Sequence, residues 1–402
     1  MNILFLSTWF PYPPDNGSKI RVYHLLRALE QRHALTLLSF AFDTARPDQA
    51  APHTICCDEI EVVRCNPFER GCVARALRFL SPSPIVNAPV PEMQGLVSTA
   101  LKQVDFDVVI ASTTLMATYA LMAVNIPKVL EEHNFHTQWA WERYQQQNSA
   151  LGRLQSWVSW QKRRRYDAKL LSRFDLCTMV SHGDKAATLR ILPAYQGLVE
   201  VVPSGVDCQH NHLGVAQPVP NTLVFNGALT YSANYDAMRF FLTEIHPLIR
   251  QWAPDVSLTI TGSTSGVNLA GLKLDESVHL SGYVDDIRPV VAGASVCLVP
   301  IRQGGGTRLK ILEAMALGTP VVATSKGAEG LAVIDGQHIL LADDPATFAS
   351  RTLKLLQNPA LRQRLATNAR SLVEEQYDWT QIGQRFVGFV EDVAVRHRES
   401  RS

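Results

Sequence analysis

The sequence predicts an α/β protein of two doubly wound, Rossmann-like parallel sheets that face one another across a cleft. Three observations carry this expectation. The chain has 402 residues, too many for one ordinary hydrophobic core. Short runs rich in Val, Ile and Leu alternate with longer stretches of helical period, as in a parallel sheet covered on both faces. That alternation begins afresh after a Pro- and Gly-rich break in the middle of the chain.

In order along the chain, the first set of strands is read at NILFLST, ALTLLSF, EIEVVRC, FDVVIAS, PKVLEE, LCTMVS and VEVVP. VPSGVDCQHNHLGVAQPVPN then interrupts the pattern, and TLVFNGA, VSLTITG, SVHLSG, SVCLVP, PVVAT and HILL form the second set. The expected domains are 1–205 and 206–378, with a last helix over 379–398, spaced through Ile382, Phe386 and Phe389, crossing back to brace the first. Each unit opens with a strand running into a Gly-containing turn, the usual position for a ligand in doubly wound sheets.

Composition excludes several classes. With 46% hydrophobic and 19% charged residues the chain is globular, and its net charge of +1 gives no reason to expect nucleic acid as a partner. No apolar stretch approaches the ~20 residues that span a bilayer, and MNILFLSTWF lacks the basic region and cleavage site of a signal peptide, so the expected location is the cytoplasm. The seven cysteines are most simply reduced thiols; Cys56, Cys57, Cys65 and Cys72 cluster without CxxC spacing or nearby histidines, and no metal site is expected.

SVCLVPIRQGGGTRLKILEAMA reads as strand, glycine loop and helix. Thr307 is a good N-cap, and Gly304, Gly305 and Gly306 let backbone approach a ligand closely. Unpaired N–H groups at the helix start, the helix dipole, and Arg308 and Lys310 in the first turn together suit a diphosphate. The alternative is a tight turn with a solvent-facing Arg and Lys. The segment is neither GxxxxGK[ST] nor a GxGxxG after the first strand, which removes the main support for an ATPase or a dehydrogenase.

Glu313 is the residue that looks misplaced, because Leu309, Ala316 and Leu317 surround it in a helical pattern. Pairing with Lys310 at i,i+3 would contribute only about 0.2–0.5 kcal/mol. A carboxylate aimed at the cleft can instead accept two hydrogen bonds from a ribose diol. Diphosphate at the helix start and ribose along its flank describe a nucleoside diphosphate.

Here the sequence resembles the family 4 retaining glycosyltransferases of the GT-B fold. The resemblance runs through LFLSTWFPYPPDNGSKIRVYHLLRAL, VVPSGVD, FNGALTYSANYDAMRFF, LSGYVDDIRPVVAGASVCLVP and LEAMALGTPVVAT, more strongly in the second half than in the first. It implies that Glu313 is the second glutamate of the family's E-x7-E motif, the ribose partner. The first glutamate would fall at position 305, where this chain has Gly305, a departure that bears on how the donor sugar is held. Relatives commonly carry an Arg and a Lys in the segment matching FNGALTYSANYDA; this chain has neither there, and Arg308 and Lys310 are the candidates to replace that charge. Gly227 matches the family's strand-end glycine. The loop with Tyr283 and Val284, in GYVDDI, resembles the one whose backbone reads the nucleobase, with Asp285 able to cap the next helix.

In the first half, Gly17 in PPDNGSKIRVYHLL is free to adopt positive φ and Ser18 to cap, and the resemblance places this loop beside donor phosphates and acceptor. PKVLEEHNFHTQW runs off a strand into His133 and Asn134, and the resemblance implies that His133 contacts the donor sugar near the reacting carbon. Strand alternation would send one of Glu131 and Glu132 into the sheet, and the retaining pattern of the family speaks against either as a general base. The resemblance implies transfer without a metal or resident cofactor, the leaving diphosphate helping to deprotonate the acceptor.

LGRLQSWVSWQKRRRYDAKLL carries Arg153, Lys162, Arg163, Arg164 and Arg165 beside Trp157 and Trp160. One reading is a helix resting on an anionic membrane at its inner face, bringing the enzyme to a lipid-linked acceptor; the other is a solvated charged face with the tryptophans in the core. The function expected from the whole is transfer of a sugar from a nucleotide sugar to a glycan or lipid-linked acceptor in surface polymer synthesis. Its rivals are a nucleotide-sugar epimerase of the same fold and a binding protein that has lost transfer.

Overall fold

The structure is a computed structural model and describes residues 1–400 apart from 43, 44, 46, 48–54, 56, 69–88, 134, 135, 194, 196, 305 and 307. Its residues divide into two compact units. Unit 1 comprises Met1–Pro203 and Ile382–Ser402, and unit 2 comprises Ser204–Gln381.

Unit 1 is built on strands β1 (Asn2–Ser7), β2 (Ala34–Phe40), β3 (Glu59–Val63), β4 (Val108–Ser112), β5 (Lys128–Glu131), β6 (Leu176–Met179) and β7 (Leu198–Val201). They form one sheet in the order β3-β2-β1-β4-β5-β6-β7, with every adjacent pair parallel. The order reverses direction between β1 and β4, so a crevice opens at their carboxyl ends. Ile3, Leu4, Phe5 and Leu6 are all fully buried, which is why β1 reads as an unbroken apolar run.

Unit 2 repeats the plan with β8 (Val219–Asn226), β9 (Ser257–Thr261), β10 (Val278–Gly282), β11 (Ala294–Val299), β12 (Val321–Ala323) and β13 (Leu340–Leu341). The order is β10-β9-β8-β11-β12-β13, again all parallel, and the reversal now lies between β8 and β11. Each unit has its own hydrophobic core.

The helix Trp379–Glu399 belongs to unit 1 from Ile382 onward, where Ile382, Phe386 and Val390 are buried and Glu391 meets Arg32 and His33. Cys177, Cys208 and Cys297 are buried thiols and Cys57 and Cys65 half-buried ones, whereas Cys56 and Cys72 lie outside the described residues. Among the described residues no group of three or more His, Cys, Asp or Glu could hold a metal ion. Among the same residues no helix is long and apolar enough to cross a membrane.

Candidate functional site

In unit 2 the loops after β8 and β11, the two strands at the reversal, bring together the residues that the sequence singles out. The helix after the glycine loop runs from Leu309 to Ala316 and buries Ile311, Leu312, Ala314, Met315 and Ala316, the apolar stripe that fixes its rotation. It begins one residue later than a Thr307 cap would place it. Arg308 holds the cap position with φ −84° and ψ 83° and makes no side-chain cap bond. Gly305 and Thr307 lie outside the described residues. Gly304 and Gly306 have φ of 92° and 81°, a region that favours glycine.

With the helix so rotated, Lys310 and Glu313 point to the end of β8 but do not bond each other. The Lys310 ammonium donates to Asn234 Oδ1 at 3.1 Å and lies 3.8 Å from the Phe225 ring centroid. Glu313 Oε2 accepts from the Asn226 amide at 2.9 Å, and Asn226 Oδ1 faces the Cys297 thiol at 3.7 Å. The i,i+3 ion pair is therefore replaced by two side-chain amides, each orienting one charged group. Asn234 is itself fixed by donating to Ala228 O at 2.9 Å.

Arg308 is buried to 7% exposure, and burial lowers its guanidinium from the ordinary range, opposed by Tyr231 and the charge of Glu329. Both cations thus meet residues of the segment Asn226–Ala237, which carries no Arg or Lys of its own. Burial pushes the Lys310 ammonium down to about 7, with Glu313 working against the shift and Arg308 adding to it. Burial raises the Glu313 carboxyl, opposed by Lys310 and Asn226. Two basic groups held in low-dielectric surroundings beside backbone N–H groups make a site that gains by receiving an anion.

Gly227 explains itself by close approach. A Cβ there would stand 2.5 Å from the Lys310 ammonium and 2.8 Å from the Asn234 amide nitrogen. Gly262, at the end of β9, went unnoticed in the sequence. Its φ is 95°, and a Cβ would meet Ala228 N at 2.5 Å and Ala228 Cα at 2.6 Å, so only glycine lets the β8 loop lie against it. Gly262 N–H also donates to Gly282 O at 2.8 Å, tying in the loop of Tyr283 and Val284. Tyr283 is 76% exposed and Val284 half-buried. The cap position of the helix that starts at Arg288 is Ile287, which makes no side-chain cap bond, and not Asp285; next to it Asp286 Oδ1 accepts the Arg288 N–H at 3.0 Å.

Unit 1 has its own cluster at the ends of β4 and β5. His133 Nε2 lies 3.0 Å from Glu131 Oε2 and 3.0 Å from Ser112 Oγ, and Ser112 donates to the same carboxylate at 2.8 Å. Arg21, wholly buried, donates to Glu131 Oε1 and, at 2.8 Å, to Val202 O. Burial alone would raise Glu131, but Arg21 and His133 outweigh it and hold the carboxyl well below the usual range. An ionised carboxylate only accepts, so His133 Nε2 is the donor toward Glu131.

Both Glu131 and Glu132 are buried, not one of the two as alternation implies, because the strand ends at Glu131. Glu132 accepts from the Thr114 hydroxyl, and burial raises it to about 8. Gly17 is the first residue of the helix Gly17–Glu30, and the cap is Asn16, whose Oδ1 accepts from Ser18 N and Lys19 N, each at 3.1 Å. Neither a left-handed Gly17 nor a Ser18 cap is needed, since an Asx cap one residue earlier serves the helix start. Asn134 lies outside the described residues. Thr8 and Thr113 hydroxyls meet at 2.8 Å across the β1/β4 reversal, with Thr113 at φ 77°.

The basic helix spans Ala150–Leu171 and divides the two readings of its tryptophans. Trp160 packs on Trp141 with centroids 4.6 Å apart, while Trp157 is exposed with Leu151 and Leu154. Arg163 pairs with Asp167 and Arg164 donates to Ile191 O.

Two family models match this chain. The one described as Glycosyltransferase Family 4 matches residues 15–210, and the one described as Glycosyl transferases group 1 matches residues 220–358. The chain belongs to the family 4, group 1 glycosyltransferases.

Among curated proteins, the chain is 29% identical to the phosphatidyl-myo-inositol mannosyltransferase of Mycobacterium leprae over 202 residues, 48% of this chain and 53% of that one. It is 27% identical to a 44.6 kDa protein of the cps region of Klebsiella pneumoniae over 164 residues, 39% of this chain and 42% of the other. The chain spans about half the length of the curated relatives it matches. Among solved structures, sucrose-phosphate synthase from Thermosynechococcus elongatus is alike in fold with a TM-score of 0.71 at 18% identity, covering 98% of this chain and 100% of that one. Anabaena HepE, solved in complex with UDP, gives 0.68 at 18% identity over 98% and 100% of the two chains.

Proposed function

We propose that this family 4 glycosyltransferase moves a sugar from a nucleoside diphosphate sugar to a glycan or lipid-linked acceptor with retention at the sugar carbon. The observation that supports it best is the meeting of Arg308, Lys310 and Glu313 with the β8 loop at the strand reversal of unit 2. Arg308 and Lys310 take the diphosphate and Glu313 the ribose diol. Gly227 and Gly304 give the phosphates room, and the loop of Tyr283 and Val284 takes the base. The UDP complex of HepE, alike in fold, makes a uridine nucleotide the first donor to try.

In the reaction the bond from the sugar carbon to the β-phosphate oxygen breaks and one to the acceptor oxygen forms. The acceptor proton passes to the leaving diphosphate, whose charge Arg308 and Lys310 stabilise. His133, oriented by Glu131 and Ser112, contacts the donor sugar. In this reading no metal or resident cofactor takes part. The exposed Leu151, Leu154 and Trp157, with the nearby cations Arg153 and Arg165, form a face suited to an anionic membrane surface that presents a lipid-linked acceptor.

The test is product analysis. UDP- and GDP-hexoses are incubated with the protein and sugar or lipid-linked acceptors, and the anomeric configuration is read by NMR. Retention of the donor's configuration supports the proposal, and inversion, or an epimerised donor with no transfer, defeats it.

A further inference from the structure

Far from the nucleotide site, at the other end of the second sheet, unit 2 holds an open groove of about 570 Å³. One wall is Leu248, Gln251 and Trp252, at the end of the short helix His246–Arg250; the other is the helix Pro345–Gln357, which contributes Ser350, Lys354 and Gln357. Trp252 lies five residues before β9 starts at Ser257, hence at the amino edge of the sheet, whereas Gly227 and Lys310 belong to its carboxyl edge.

The wall is aimed by its own sequence. Pro247 has no N–H to continue the preceding helix, and the chain winds as a π-turn over Phe241–Ile245 before the short helix begins. This turns Phe241 and Ile245 into the core and leaves the Trp252 indole 72% exposed. Small Ala346 and Ala349 on the opposite helix keep the floor low.

We propose that this groove is a second, non-catalytic binding site for a glycan chain. A pyranose ring offers an apolar C–H face and a rim of hydroxyls that both donate and accept. The Trp252 indole matches the face, and the Gln251 and Gln357 amides and the Ser350 hydroxyl match the rim, because each of them also donates and accepts. Other occupants fit less well. An apolar helix or lipid surface would strip water from two amides, a hydroxyl and an ammonium without replacing their hydrogen bonds. A nucleic acid would find only Lys354 among the lining residues to neutralise its phosphates. In an enzyme that extends a polymer, such a site holds the acceptor at a distance from the reacting end and raises its local concentration. That use rests on the proposed transfer activity, while glycan binding does not.

The experiment is calorimetric titration of the full chain with four hexasaccharides: maltohexaose, cellohexaose, chitohexaose and mannohexaose. We expect saturable binding of at least one, with a dissociation constant on the order of 1 mM or below, weakened about tenfold or more in Trp252→Ala and largely kept in Trp252→Phe. Because Trp252 is exposed, its variants keep the fold, checked by thermal unfolding. Their affinity for nucleoside diphosphates stays that of the parent. No binding of any of the four, or equal binding by Trp252→Ala, overturns the proposal. Loss of nucleotide binding by the parent protein would count against the transferase reading alone.

Discussion

If Lys310 binds the diphosphate as proposed, nucleotide binding depends on pH in a direction fixed by its surroundings. In the ligand-free protein burial lowers its ammonium from the ordinary 10.5 to about 7. A bound diphosphate supplies the missing counter-charge and returns it toward the ordinary range. Above pH 7 the free lysine has therefore lost a proton that it regains on binding, and affinity falls as pH rises. From pH 7 to pH 9 the loss reaches on the order of 50-fold, about 2.3 kcal/mol. The other groups facing it do not imitate this slope. Arg308 stays charged, Cys297 is pushed up to about 12, and the Glu313 carboxyl, raised by burial, acts in the opposite sense, because its ionisation favours the bonds to the ribose. The secondary ionisation of a phosphate, near pH 6, is also complete. The assay is calorimetric titration of nucleoside diphosphate at pH 7, 8 and 9 with parent protein, Lys310→Met and Lys310→Arg. The slope belongs to the parent alone; a flat parent profile, or the same slope in Lys310→Met, refutes the assignment.

Other consequences can be measured separately. His133→Ala lowers kcat well beyond any loss of donor affinity, and equal losses of both would reduce His133 to a structural residue. Gly262→Ala forces a side chain into φ 95° and to 2.5 Å from Ala228 N, so urea unfolding is expected to show a loss of about 2 kcal/mol or more; an unchanged midpoint contradicts it. Flotation with liposomes rises with anionic lipid if the Leu151, Leu154 and Trp157 face meets a membrane, and no dependence on anionic lipid removes that contact.

The fold was legible because parallel strands buried on both faces are written as continuous apolar runs. NILFLST and ALTLLSF could be read without context, and even the two-residue β13 lay within HILL. The charged residues of the proposed donor site stand out in the sequence too, since a glycine loop is followed by Arg, Lys and an out-of-place Glu. Their supports do not. Asn226 stands 87 residues from Glu313, Asn234 stands 76 from Lys310, and Arg21 stands 110 from Glu131. Local pattern carries no trace of such pairs, because a lone Asn after a strand reads as a turn and an Arg in a first helix as a surface charge. Gly262 had a signal, a glycine ending VSLTITG, but nothing in one sequence says that another backbone lies against it. The cap positions at Asn16 and Ile287 each differ from the reading by two residues, the usual uncertainty of helix starts.

The central claim is that Glu313 and its two basic neighbours bind a nucleoside diphosphate, and calorimetric titration with UDP, GDP and ADP, with and without magnesium, tests it most directly. The parent should bind one of them. In Glu313→Ala that affinity should fall by about 1.5–3 kcal/mol as the charge-assisted bonds to the ribose are lost. Equal affinity in parent and variant, or binding of none of the three by the parent, would contradict the assignment of this site.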